Sequence, residues 1–101
     1  MAYKLWLDDV RPAPDSSWVS FDNVEDLIGA MKRIINWGLD IEIISLDNDL
    51  GEGLTEGYKV LDWLESLLIP VEFGIHIHSA NPVARERMRA TIQRNGWKEI
   101  K

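Results

Sequence analysis

Two aspartates, Asp47 and Asp49, flank Asn48 where an apolar run ends, and Gly51 and Gly53 follow at once. A second acidic pair, Asp8 and Asp9, closes the short apolar run YKLWL. Asp is a poor strand residue, and a buried carboxylate is costly unless it is paired or bound. Acids at such places either turn the chain or hold a cation. Neighbouring strands lie about 5 Å apart, so Asp8, Asp9 and Asp47 converge if their strands are neighbours. Carboxylates that close raise one another's pKa unless a cation neutralises them. Mg²⁺ or another divalent cation suits the set, being hard, oxygen-seeking and usually held by one or two carboxylates plus water and phosphate. Asp49 returns to the side of Asp47 if strand alternation continues, which makes it either a fourth ligand or a loop former. The two glycines either admit a ligand close to the backbone or serve a tight turn.

A third polar cluster ends the run EFGIHIH. His76 and His78 are two apart and face the same side of a strand. His-x-His is a metal-ligand spacing, though weak alone; His76 reads as a structural histidine inside the sheet. His78 sits at the rim and suits a general acid or base near neutral pH. Ser79 offers a hydroxyl to a phosphoryl oxygen. Asn81 and Pro82 open a helix whose free N–H groups favour an anion, and Arg85 adds a charged fork.

The elements that must position these groups follow from periodicity. Residues 3–7 read as a buried strand, 10–17 as a loop with two prolines, and 18–21 as a second short strand. Asp22 or Asn23 caps a helix with Val24, Leu27, Ile28, Met31, Ile34 and Ile35 on one face, and Gly38 stops it. The β-branched run 41–47 is a central strand. A helix over about 55–68, capped by Thr55, buries Leu61, Leu64, Leu67 and Leu68 until Pro70. Strand 72–78 precedes a last helix that ends at Asn95–Gly96, and WKEI forms at most a short final strand. Strands alternating with helices predict a mainly parallel α/β sheet. In such sheets, sites gather beyond the carboxyl ends of the strands, where all three polar clusters lie. The five tryptophans, Trp6, Trp18, Trp37, Trp63 and Trp97, are spread out and read as core or half-buried packing.

The chain of 101 residues is one domain's worth, and it has no cysteine for a disulfide or thiolate site. Its start lacks the shape of a signal peptide, and no run approaches a membrane span, so a cytoplasmic protein with no membrane contact is expected. A net charge of −6 argues against general nucleic-acid binding. The charge is uneven: residues 1–70 carry −9 and residues 71–101 carry +3. An acidic cluster facing a locally basic segment suits a metal plus a phosphate. Oligomeric state is not legible.

The blocks KLWLDDVRPAP, ISLDNDLG, GYKVLDWL and HSANPVARERM resemble, in order and over about residues 3–92, the cyclic-phosphate processing receiver-like domain family. That family is an offshoot of the response-regulator receiver fold. The resemblance implies a small three-layer, flavodoxin-like sheet and a role in processing cyclic phosphate ends of RNA or cyclic nucleotides. Asp8 and Asp9 resemble the magnesium-binding acidic pair of receivers, Asp47 the phospho-accepting Asp, and Ser79 the hydroxyl residue after the fourth strand. There are departures. The link from Asp9 to Trp18 is too short for the usual first helix, so the fold is expected to be truncated there. Lys98 lies too near the terminus to serve as the phosphate-holding Lys. His78 and Asn81 have no counterpart in ordinary receivers, and Asn48 stands where the family carries His.

Two functions of different class follow. In the first, the protein is a phosphoesterase: Asp8, Asp9, Asp47 and Asp49 hold the cation, Asp47 and His78 are catalytic, and Ser79, Asn81, Arg85 and Arg11 bind a phosphate-bearing small molecule or RNA end. In the second, it is a receiver-like module that binds a phosphorylated ligand or a protein without turnover.

Overall fold

In the computed structural model, which describes residues 2–101, the apolar and β-branched runs pair into one five-stranded sheet. The chain order is β1 (Ala2–Leu7), β2 (Trp18–Phe21), α1 (Val24–Asn36), β3 (Asp40–Leu46), α2 (Tyr58–Ser66), β4 (Gly74–Ile77), α3 (Pro82–Asn95) and β5 (Lys98–Ile100). The sheet order is β2-β1-β3-β4-β5, and every pair is parallel. This is a small α/β fold of the flavodoxin-like receiver type. Strand order reverses between β1 and β3, the position where such sheets place their sites.

Register decides which side chains share a face. Leu5 and Leu7 of β1 align with Ile44 and Leu46 of β3, which align with Ile75 and Ile77 of β4. These six pack with Leu27, Met31, Leu61, Leu64, Met88 and Ile92 from the three helices into one core. The connections through α1, α2 and α3 all advance in one direction along the sheet, so right-handed crossovers set all three helices on one face. The alternate residues Trp6, Ser45 and His76, aligned across β1, β3 and β4, point to the other face. Of the three layers expected, the described residues form two. Residues 8–17 contain no helix, and with it goes the layer that a β1–β2 crossover supplies.

Helix ends follow local chemistry. The Asn23 side chain accepts from Asp26 N at 2.8 Å and Asn81 from Ala84 N at 3.1 Å, both as N-caps, and Gly96 closes α3 with a left-handed φ of 66°. The second helix is shorter than its apolar spacing suggests. It begins at Tyr58 rather than Thr55, because the Thr55 hydroxyl donates to Glu25 across the gap to α1 instead of capping. It ends at Ser66, since Leu68 turns into the left-handed region and is 91% exposed; Leu67 also lies at the surface. Trp37 is likewise 69% exposed rather than packed, because it sits at the C-cap of α1. Strand 72–78 is trimmed to Gly74–Ile77, and the short final strand is present. Lys98 pairs with Gly74 at the amino end of the strands, the wrong pole for a phosphate at the carboxyl ends. Among the described residues, no helix is long and apolar enough to cross a membrane.

Candidate functional site

The ladder itself carries three polar residues to one rim. Asp8 N donates to Phe21 O, Asp47 N to Leu7 O and His78 N to Leu46 O, each at 3.0 Å. Each therefore sits one step beyond its strand, and alternation turns its side chain toward the helix-free face. One carboxylate oxygen from each of Asp8, Asp9 and Asp47 lies within 4.8 Å of the others. The acidic cluster expected from the sequence is thus present.

Asp8 is the organising member. Its Oδ1 accepts from Val10 N at 2.9 Å and Arg11 N at 2.8 Å, and its Oδ2 from Arg11 Nε at 2.9 Å and His78 Nε2 at 3.1 Å. A carboxylate offers about four lone-pair sites, so this one is fully engaged. Burial pushes its carboxyl up, but the Arg11 and Val10 amides, the Arg11 guanidinium and His78 outweigh it and hold the pKa below the usual value. Asp47 goes the other way. Burial raises it, the charges of Asp8 and Asp9 add to the rise, and the Asn48 amide and Arg11 only partly oppose them. Arg11, its side chain half exposed, spans both acids, with Nη2 at 3.5 Å from Asp47 Oδ1.

The remaining residues divide. His78 lies flat on Trp6, with ring centroids 3.9 Å apart and planes 3° apart. Its Nδ1 meets Ser45 Oγ at 2.7 Å and its Nε2 meets Asp8. Burial lowers its pKa to about 4 despite the neighbouring carboxylate, so at neutral pH the ring is uncharged and both nitrogens are engaged. That geometry leaves no free nitrogen for the general acid or base expected at this position. His76 contacts the same Ser45 oxygen at 2.7 Å and is lowered by burial, as befits a structural histidine.

Asp49 does not join the cluster. The chain leaves the strand after Asp47, so alternation no longer returns Asp49 to the same side; its carboxylate instead meets Asn81 Nδ2 at 3.3 and 3.4 Å and Asn48 Nδ2 at 3.2 Å. Asn81 is occupied with its cap and with Asp49. Ser79 is buried, its Oγ accepting from Asn81 N at 3.1 Å. Arg85 Nη1 donates to the carbonyls of Ile77 and Ser79 at 3.3 and 3.0 Å. These three brace the turn from β4 into α3.

Two residues of the site, Gly57 and Ser45, escaped the motif reading, and Asn48 entered it only as a departure from the family. Asn48 is buried, and its Oδ1 accepts from Tyr58 N at 3.1 Å, taking the place of a cap at the start of α2. Gly57 donates to Asn48 O, and a Cβ at Gly57 would overlap the Asp47 carbonyl oxygen. Ser45, fully buried, joins both histidines. Its signal was a lone hydroxyl in an apolar strand, two residues before Asp47.

A parallel sheet with acids gathered at its carboxyl rim, beside the β1/β3 reversal, defines a receiver-type domain. The family model described as the cyclic-phosphate processing receiver domain matches residues 3–94, and the chain belongs to that family. Comparison with curated proteins and with solved structures finds no match.

Proposed function

We propose that the rim pocket binds a divalent cation and, with it, the phosphoryl group of a cyclic phosphate on an RNA end or nucleotide, and hydrolyses it. The observation that carries this is the convergence of Asp8, Asp9 and Asp47 oxygens within 4.8 Å. The donor set is all carboxylate, which fits a hard cation such as Mg²⁺. Asp8 has no spare lone pair while Arg11 holds it, so a cation enters as the exposed Arg11 side chain swings out. Asp9, which is exposed, and Asp47, whose ionisation is disfavoured in the bare pocket, are the ligands with most to gain. A bound cation would polarise the phosphoryl oxygens and offset their charge. The displaced Arg11 guanidinium then meets the phosphate as a bidentate fork. Ser79, Asn81 and Arg85 hold the loop against which the ester lies.

One observation favours a second reading, a module that binds phosphate without turnover. Arg11 already neutralises Asp8 and approaches Asp47, so the pocket has a resident cation of its own. The test is turnover of 2′,3′-cyclic nucleotides with Mg²⁺ or Mn²⁺ by wild type and Asp47→Asn. Wild-type turnover lost in the variant supports hydrolysis. Saturable nucleotide binding with no product supports the module.

A further inference from the structure

Ser45 and His76 touch neither the acids nor a plausible ligand, yet Ser45 is a fully buried polar side chain between two histidines. Hydrogen counting fixes what the three groups do. Asp8 is ionised and accepts only, so His78 Nε2 carries the hydrogen of their 3.1 Å contact. Ser45 has one hydroxyl hydrogen between two ring nitrogens, so one of them accepts it and the other donates to Ser45 Oγ; a neutral His78, whose hydrogen is on Nε2, takes the accepting place through its bare Nδ1 at 2.7 Å. That uses the single hydrogen of Ser45. Its oxygen can therefore only accept from His76, whose Nδ1 must carry the hydrogen of the second 2.7 Å contact. The directed chain runs His76 Nδ1–H to Ser45 Oγ–H to His78 Nδ1, then His78 Nε2–H to Asp8 Oδ2, across β4, β3, back to the end of β4 and over to β1. Trp6, stacked on His78 at 3.9 Å and donating its Nε1–H to Arg11 O at 3.0 Å, stops the ring from turning out of this line.

We infer that Ser45 and His76 are positioning residues: Ser45, held by His76, donates to the Nδ1 of His78 and fixes the ring with its Nε2–H on Asp8, so that it aims the Asp8 carboxylate into the rim pocket. The two histidines, two residues apart on one strand, are thereby held as opposite tautomers. The pairing of one accepting and one donating Nδ1 stands on the contacts; which histidine accepts follows from a neutral His78, and the consequence for cation binding rests on the function proposed above.

The experiment is imidazole nitrogen NMR on the full chain at neutral pH, followed by Mn²⁺ titration. The expected wild-type spectrum shows His78 protonated at Nε2 only and His76 at Nδ1 only. His78 protonated at Nδ1, or both histidines in the same tautomer, overturns the inference. Ser45→Ala leaves Asp8 to hold the Nε2–H of His78 but removes the donor to its Nδ1, and should weaken Mn²⁺ binding about 10- to 100-fold, the usual cost of losing an outer-shell partner. His76→Phe, which keeps the Ser45–His78 link, should weaken it less. A folded Ser45→Ala protein with unchanged Mn²⁺ affinity also overturns the inference. If wild type binds no Mn²⁺, the cation reading of the pocket fails, and the wild-type tautomers alone decide this one.

Discussion

Arg94 grips Glu65 through Nε and Nη2 at 2.9 and 3.0 Å, and Arg89 grips Glu99 through the same pair of nitrogens at 3.1 and 3.0 Å. At the carboxyl rim of the sheet, Asp8, Asp9 and Asp47 have one guanidinium, that of Arg11, which reaches two of them. The Glu65 pair lies at the carboxyl ends of α2 and α3, at the opposite pole from the rim. The same side-chain types thus serve two ends. Where each acid has its own arginine, both partners shift to favour charge: Glu65 falls to about 2, through Arg94 first and Asn95 second, and Glu99 falls through Arg89. Where acids outnumber arginines, one carboxylate is satisfied and its neighbour is not, as the opposite shifts of Asp8 and Asp47 record. Matched charges tie one helix to another and a helix to the edge strand. Unmatched buried charge is what the proposed cation would neutralise.

Removing the unmatched charge should separate the two roles most sharply. Asp47→Asn is expected to cut divalent-cation affinity and cyclic-phosphate turnover by about 100-fold, while thermal stability in cation-free buffer holds or rises. The sign follows from linkage: a carboxyl raised on folding favours the native state when protonated and loses that contribution as pH rises through its folded pKa. At neutral pH the neutral amide lacks the penalty. A thermal midpoint that falls markedly without cation would end the contrast with the far pole. Gly57→Ala comes next in size. Its Cβ must displace the Asp47 carbonyl, so a loss of about 1–3 kcal/mol is expected in urea unfolding, as for overpacking elsewhere, together with weaker cation binding.

Arg11→Gln removes the resident cation of the rim. Cation affinity should tighten a few-fold in calorimetry while phosphate binding weakens; if both weaken, Arg11 holds the pocket open rather than competing for it. The smallest effect belongs to the far pole. Glu65→Gln should leave cation binding and turnover untouched and act only on the acid arm of stability. A lowered carboxyl stabilises above its unfolded pKa and loses that as pH falls through the folded one. The variant should therefore show a shallower loss between about pH 4.5 and 2 in pH-resolved thermal melts, since Glu65 drops from 4.5 to about 2.

The strand runs, the caps Asn23 and Asn81 and the convergence of Asp8 with Asp47 were legible because each depends on local spacing plus one pairing rule. The start of α2 was not. Thr55 is a good cap by type, but Tyr58 N is satisfied by Asn48, ten residues upstream, and no local pattern shows that. What Asp49 and His78 touch was not legible for a related reason. Alternation places a side chain on a side, yet hydrogen-bond competition decides what it does there. Asp49 was taken up by the cap residue of α3, and His78 by Ser45 and Asp8 together. The layer count followed the fold class instead of the connection, although the shortness of residues 8–17 already pointed to a missing helix.

The strand order β2-β1-β3-β4-β5 also has a kinetic meaning. β1 is the first strand of the chain, yet its inner neighbour β3 arrives some thirty residues later, and the partner that reaches Asp8 from the end of β4 lies 70 residues away. No fragment that leaves out β3 or β4 can assemble the rim. Non-local pairings carry their closure entropy before they return any energy, and the acids meet only once β1 has paired with β3. If that pairing comes late on the folding path, the repulsion among the acids is expected to speed opening of the native state in unfolding kinetics and to leave the folding rate little changed.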